Sequence, residues 1–212
     1  MMRAQIFVIA IAALFTMIAA FPPTLGNRAT CPAGSDYPVG PGTVSPYGLV
    51  PFSKSSPNTA YGYVPIGVVT PGDMCTIVDL KIPDEVNGEL TLLKTCTLTF
   101  SLPTTEQAAP KKVTFSGPGH FTFTGYLTGF GGDDTTTYDN QPVPGPSPPF
   151  PPAVMVPGNT YTIANLPCLI APGSGGETVS GALCSDDTSL EWEQTTADGE
   201  GGCPVGFFVV VH

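Results

Sequence analysis

Residues 92–103 read "LLKTCTLTFSLP". Cys96, Leu98, Phe100 and Leu102 fall on one parity, and Thr95, Thr97, Thr99 and Ser101 fall on the other. Strict alternation is the pattern of a half-buried strand, because successive side chains of an extended chain point to opposite faces. Threonine is a good strand former, so the hydroxyl row is expected to face water. The stretch reads as a central strand, with Cys96 bonded across the core.

Similar runs lie on both sides of it. Residues 60–70, 75–82, 89–102, 112–117, 120–129, 160–166, 177–184, 189–195 and 205–211 all read as short strands, with Pro65 marking an edge or a bulge in the first. The 25 glycines and 25 prolines punctuate the chain too often for long helices. No window beyond the first twenty residues carries a convincing helical period. Many short strands between Gly/Pro turns predict an all-β fold, an antiparallel β-sandwich of jelly-roll or Ig-like type. One stretch breaks the rhythm. Residues 130–157, "FGGDDTTTYDNQPVPGPSPPFPPAVMVP", predict a long Pro-rich loop, extended and packed along the sandwich surface.

The first twenty residues read differently. Arg3 supplies a positive start, residues 6–17 ("IFVIAIAALFTM") an apolar core and residues 18–20 small side chains, which is the pattern of a secretory signal peptide over 1–20. That run is too short to span a bilayer, so no membrane span is expected after cleavage. Residues 21–45 are Pro- and Gly-bearing without periodicity and read as an extended N-terminal segment, leaving 46–212 as a single β-sandwich domain. The formal net charge is −10, and residues 113–212 hold ten acids and no lysine or arginine. That asymmetry argues against nucleic acid and against anionic lipid as partners.

Six cysteines, Cys31, Cys75, Cys96, Cys168, Cys184 and Cys203, lie behind the leader. An even number in an oxidising exterior predicts disulfides, and the absence of a CxxC spacing argues against a structural zinc site. Sequence does not choose among the pairings; the one singled out here is Cys184 with Cys203, which would clip the acidic loop between two late strands.

Few residues suggest chemistry. His120 and His212 are the only histidines, and no serine sits in a GxSxG elbow. Glu191 and Glu193 flank the sole tryptophan, Trp192, and would share one face of a strand. Paired carboxylates can cleave a glycosidic bond, and an indole can stack on a sugar ring. The favoured reading is a core Trp192 with two solvated glutamates on the opposite face, since that alternation suits a half-buried strand. A glycan platform would combine Trp192 with Tyr61, Tyr63 and Tyr126. Asp133, Asp134 and Asp139 cluster in the long loop but match no calcium-loop spacing, so no metal and no cofactor is expected. These features favour a non-catalytic role, with a glycan-binding module and then a carboxylate-dependent glycoside hydrolase as the alternatives.

An ordered set of stretches adds a resemblance. "YGLVPFSKSSPNTAYG" (47–62), "CTIVDLKIP" (75–83), "KTCTLTFSLP" (94–103), "VTFSGPGHFTF" (113–123), "PGNTYTIANLPC" (157–168) and "CPVGFFV" (203–209) follow one another in the order and spacing of the fungal ubiquitin-3-binding protein (But-two) C-terminal domain family. The chain departs from that pattern at Cys75, where the family often has serine, and at Leu93, where it usually has glycine. The resemblance brings no catalytic residues. It implies a fungal, secreted or wall-associated β domain of uncharacterised activity. Apart from the resemblance, the partners expected are cell-wall polysaccharide or a surface protein. The family's name points to a ubiquitin-like pathway inside the cell, whereas the leader and the cysteines point outside.

Overall fold

The computed structural model describes residues 30–32, 38, 40–145 and 150–212. The expected signal peptide and part of the proline-dense tract lie outside the described residues. Thirteen strands run in chain order: β1 (Thr43–Val44), β2 (Gly48–Ser53), β3 (Ile66–Val69), β4 (Met74–Ile82), β5 (Glu85–Val86), β6 (Glu89–Leu90), β7 (Thr95–Leu102), β8 (Val113–Ser116), β9 (Thr122–Gly125), β10 (Asn159–Pro167), β11 (Glu177–Cys184), β12 (Ser189–Glu193) and β13 (Gly206–Val211). One short helix, α1 (Thr105–Ala108), is capped by Thr104, whose hydroxyl accepts the Gln107 N–H while the Gln107 side chain returns a bond to the Thr104 N–H.

Every pairing between these strands is antiparallel. Sheet A has the order β1-β13-β7-β10, sheet B β2-β4-β11-β9, and sheet C β3-β12-β8; β5 and β6 form a small ribbon. The chain is therefore an antiparallel β-sandwich. Its main core lies where sheet A faces sheets B and C. Phe207 of sheet A meets Phe123 of sheet B at 5.5 Å between ring centroids and Trp192 of sheet C at 6.1 Å. Sheet C is tied to sheet B through Thr76, whose hydroxyl accepts the Val68 N–H and donates to the Val68 carbonyl.

Sheet B is buried on both faces. Its inner side gives Leu49, Val78, Leu80 and Leu183 to the main core, while Val50, Phe52, Ile77 and Ala182 form a second cluster outside. The long insertion covers that second cluster, as expected of it. Tyr126 and Tyr138 pack against it, and the Tyr138 ring lies 6.1 Å from Phe52. The Asp139 N–H also reaches the Pro57 carbonyl at 3.1 Å.

Two expectations from the opening stretch are corrected. Strand β7 is an interior strand of sheet A, but its hydroxyl row does not face water: Thr97, Thr99 and Ser101 are buried. Their hydroxyls are satisfied by neighbours instead. Thr97 Oγ1 lies 3.1 Å from His212 Nε2, Thr99 Oγ1 donates to the Phe208 carbonyl, and Ser101 Oγ accepts from Thr160. Nor does Cys96 reach across the core. It bonds Cys168, just past the end of the adjacent strand β10, with 5.0 Å between Cα atoms.

All six cysteines are paired, the others being Cys31–Cys203 and Cys75–Cys184. The expected Cys184–Cys203 pair is not formed. Antiparallel register decides this: Leu183 opposes Thr76, so Cys184 comes opposite Cys75 on the outer face of sheet B. Cys203 instead holds the N-terminal segment, in which Thr43 and Val44 pair with β13.

Candidate functional site

The residues singled out in the sequence do not converge. Trp192 is fully buried, at 0 % exposure, with its ring edge-on to Phe100 at 5.9 Å. A side chain shut in the core offers no face to a sugar, so the platform built on Trp192 is withdrawn. Tyr126 is buried too, its hydroxyl donating to Gln141 Oε1 at 2.8 Å. Tyr61 and Tyr63 are exposed. Tyr63 pairs with a residue the sequence reading passed over, Tyr47, at 6.4 Å and a tilt of 51°. Both tyrosines lie on the surface beside the insertion, and the Tyr63 hydroxyl donates to the Gly132 carbonyl. Burial first, then the nearby Asp79 carboxylate, pushes the Tyr63 phenol up to about 12.

Tyr61 lines a separate open groove with Pro51, Val64, Ile66, Met74, Lys112 and Glu191. Glu191 is ion-paired there with Lys112. Glu193, on the same strand face, is held by Lys111 at 2.9 Å, and Lys111 also binds Glu200 at 2.7 Å. Its hydrogen bond from Lys111 keeps the Glu193 carboxyl below the usual range. Both glutamates are thus engaged by lysines from the approach to β8.

His120 has neighbours that suggest a triad by composition. Its Nδ1 lies 2.7 Å from Asp187 Oδ2, and Ser185 is close by. The Ser185 hydroxyl, however, donates to the His120 backbone carbonyl at 2.6 Å rather than to the imidazole. A nucleophile must present its proton to the base, so this set is a turn clamp. In the insertion, Asp133 accepts from the Thr135 N–H and from the Thr135 and Thr136 hydroxyls. Among the described residues no group of three or more His, Cys, Asp or Glu is arranged to hold a metal ion.

Two features escaped the sequence reading. The first is Asp79, in the middle of β4 and 0 % exposed. One oxygen accepts the Gly132 N–H at 3.1 Å; the other, Oδ2, has no partner. Burial pushes its carboxyl up to about 6, against the lowering pull of the Gly132 bond and with help from Asp133. A lone acid inside "TIVDLKI" was the signal.

The second feature is an apolar cleft of about 350 Å³ between sheets A and B. Leu80, Ile82 and Val179 line one wall, Leu98, Ala164 and Leu166 the other, and Phe123 and the Cys96–Cys168 bridge lie between. It opens because the facing edges are unequal. Strand β9 covers only Gly181–Cys184 of β11, whereas β10 runs the full length of β7. Among the described residues, no strand of sheet B therefore runs beside β11 on its β9 side across from the far half of β10. Leu166, which shares the inward parity of Cys96, is left 60 % exposed.

The model of one family, the Ubiquitin 3 binding protein But2 C-terminal domain, matches residues 44–198. No curated protein matches the chain. The matched stretch begins in β1 and ends past β12, so it takes in nearly the whole sandwich. The chain belongs to the But2 C-terminal domain family.

Proposed function

We propose that this chain is a secreted fungal β-sandwich that acts by binding, without catalysis, at the cell surface or wall. The observation that carries the reading is the set of three disulfides that uses every cysteine, including Cys75. Such bonds persist in oxidising compartments and are rare where thiols are kept reduced. The leader pattern at residues 1–20 supports the same placement. The carboxylates considered for hydrolysis are bound to lysines, and Ser185 donates to the His120 backbone rather than its ring; both favour binding over chemistry.

The family's name speaks of ubiquitin 3 binding, and an intracellular role of that kind would have to do without these bridges. Glycan binding is the second reading. The groove at Tyr61 favours it, because an exposed ring stands there beside the Lys112–Glu191 pair.

One experiment separates these readings. The chain is expressed with its leader in a fungal host, and medium and cell extract are assayed for mass and free thiols. The expected result is a chain in the medium lacking about twenty residues and bearing no alkylatable thiol. Retention in the cell with an intact leader and free thiols overturns the proposal. The secreted chain is then mixed with insoluble chitin, β-1,3-glucan and whole wall. Saturable, salt-resistant binding that Tyr61→Ala abolishes assigns the glycan reading.

A further inference from the structure

We infer that the cleft between sheets A and B binds a single aliphatic chain, with Leu166 in its wall and Leu169 between the lining residues Cys168 and Ile170. Its size falls within the range of small-molecule sites. No charged side chain lines it, and of its polar side chains the Tyr126 hydroxyl bonds Gln141 and the Ser180 hydroxyl donates to the Phe130 carbonyl at 2.6 Å, while Thr128 is exposed. A ligand there gains from removing apolar surface from water and little from hydrogen bonds.

That lining selects the occupant. A peptide strand could pair on one side with the open edge of β10, but the aliphatic side chains of both walls offer its remaining N–H and C=O groups no partner, and burying them unpaired is costly. A charged head would lose its water without gaining a counter-ion, so an anionic group must stay outside. A hydrocarbon chain meets neither cost. Its flexible methylenes suit walls made of leucine, isoleucine, valine and alanine.

The same stretch carries a second, independent observation. Leu169 sits at a φ of +54°, a backbone region that bulky residues rarely occupy, and its side chain is 69 % exposed. The N–H of the preceding Cys168 is tied to the Lys94 carbonyl at 2.9 Å, which places exposed Leu93 alongside. Leu93, Leu166 and Leu169 thus present exposed apolar side chains on neighbouring stretches at this end of the sandwich. A folded chain gains nothing from them there unless something apolar arrives.

The test uses the disulfide-bonded protein and the neutral fluorophore N-phenyl-1-naphthylamine, which brightens in apolar surroundings. Wild type is expected to take up the probe saturably and to release it to dodecanol at least tenfold more readily than to dodecanoate. Ala164→Trp, at a half-buried position on an edge strand, fills the cleft and is expected to weaken uptake at least tenfold with the thermal midpoint unchanged. Leu169→Gly, which suits the backbone, is expected to fold as well or better and to weaken uptake several-fold. Absence of uptake by wild type, or uptake that Ala164→Trp leaves intact, overturns the site. Cholesterol displacing the probe better than dodecanol overturns the choice of an aliphatic chain. Phosphatidylcholine vesicles separate the sources. Co-sedimentation lost in Ala164→Trp identifies a chain drawn from a bilayer, and displacement by dodecanol without co-sedimentation identifies a free chain.

Discussion

At the scale of single residues, Asp79 dominates the acid–base behaviour of the fold. Its carboxyl is raised from 3.8 to about 6 because the charged form is denied water and one oxygen has no partner. The folded state therefore holds this proton more tightly than the unfolded chain does. Its contribution to stability is full below pH 3.8 and is lost as the pH rises through about 6. The cost at neutral pH is at most about 3 kcal/mol, from roughly 1.4 kcal/mol per pKa unit. Asp133, Asp187 and Glu193 are shifted the opposite way by their hydrogen bonds, so the comparison that isolates Asp79 is with a neutral isostere. Asp79→Asn is expected to raise the urea midpoint at pH 7.5, to change it little at pH 3.5, and to flatten the profile between. Equal midpoints for the two proteins at pH 7.5 would contradict this account. The same local view explains why the core reading of Trp192 holds and the platform reading does not. Alternation in "SLEWEQT" fixes which residues share a face, but not which face is covered.

At the scale of elements, the strands legible in the sequence are those that alternate, such as β12, or that form an apolar β-branched and aromatic run, such as β13. Strand β12 alternates half-buried and buried positions, and its pattern is visible in the letters. Strand β2, "GLVPFS", is buried at all six positions and carries a proline, so it shows no alternation and was passed over. The insertion is the reason: it buries the outer face of sheet B, and a strand buried on both faces loses its period. The Thr row of β7 failed for a related cause, since a threonine hydroxyl satisfied by an adjacent strand is as content buried as solvated. The cleft was illegible because it depends on β9 being shorter than β10, which only assembly reveals. Pairing of β3 with β12 sets a sharper test. Gly67 opposes Trp192, and a Cβ there would lie 2.2 Å from the indole. Gly67→Ala must displace the ring from its place against Phe100 and Phe207, at a cost of about 1–3 kcal/mol for overpacking. The check is a lower urea midpoint with an altered tryptophan emission spectrum. An unchanged spectrum would mean that the ring is not held as described.

At the scale of the whole molecule, the disulfides decide how far the N-terminal segment belongs to the domain. Residues near Cys31 are held by that bridge, by the Gln107 side-chain bond to the Thr30 carbonyl at 2.8 Å, and by β1 on the edge of β13. Among the described residues, the bonds to β13 at Gly42, Thr43 and Val44 and one amide contact at Thr30 are little against the entropy of ordering such a segment. The bridge closes a span of 172 residues. In the unfolded chain, though, the Cys75–Cys184 bridge short-cuts that span to roughly 60 residues, for which loop entropy predicts about 4 kcal/mol. The dependence on length is logarithmic, so the short cut removes less than a quarter of the effect. The double variant Cys31→Ser/Cys203→Ser is therefore expected to lose about 3–4 kcal/mol while keeping its other two bridges and its β-sheet spectrum. Amide exchange gives the location. Faster exchange at Thr43, Val44 and the facing Val209–Val210, with sheets B and C still protected, is the expected pattern. A loss below about 1 kcal/mol, or exchange spread evenly over all three sheets, would show that the segment does not depend on its bridge.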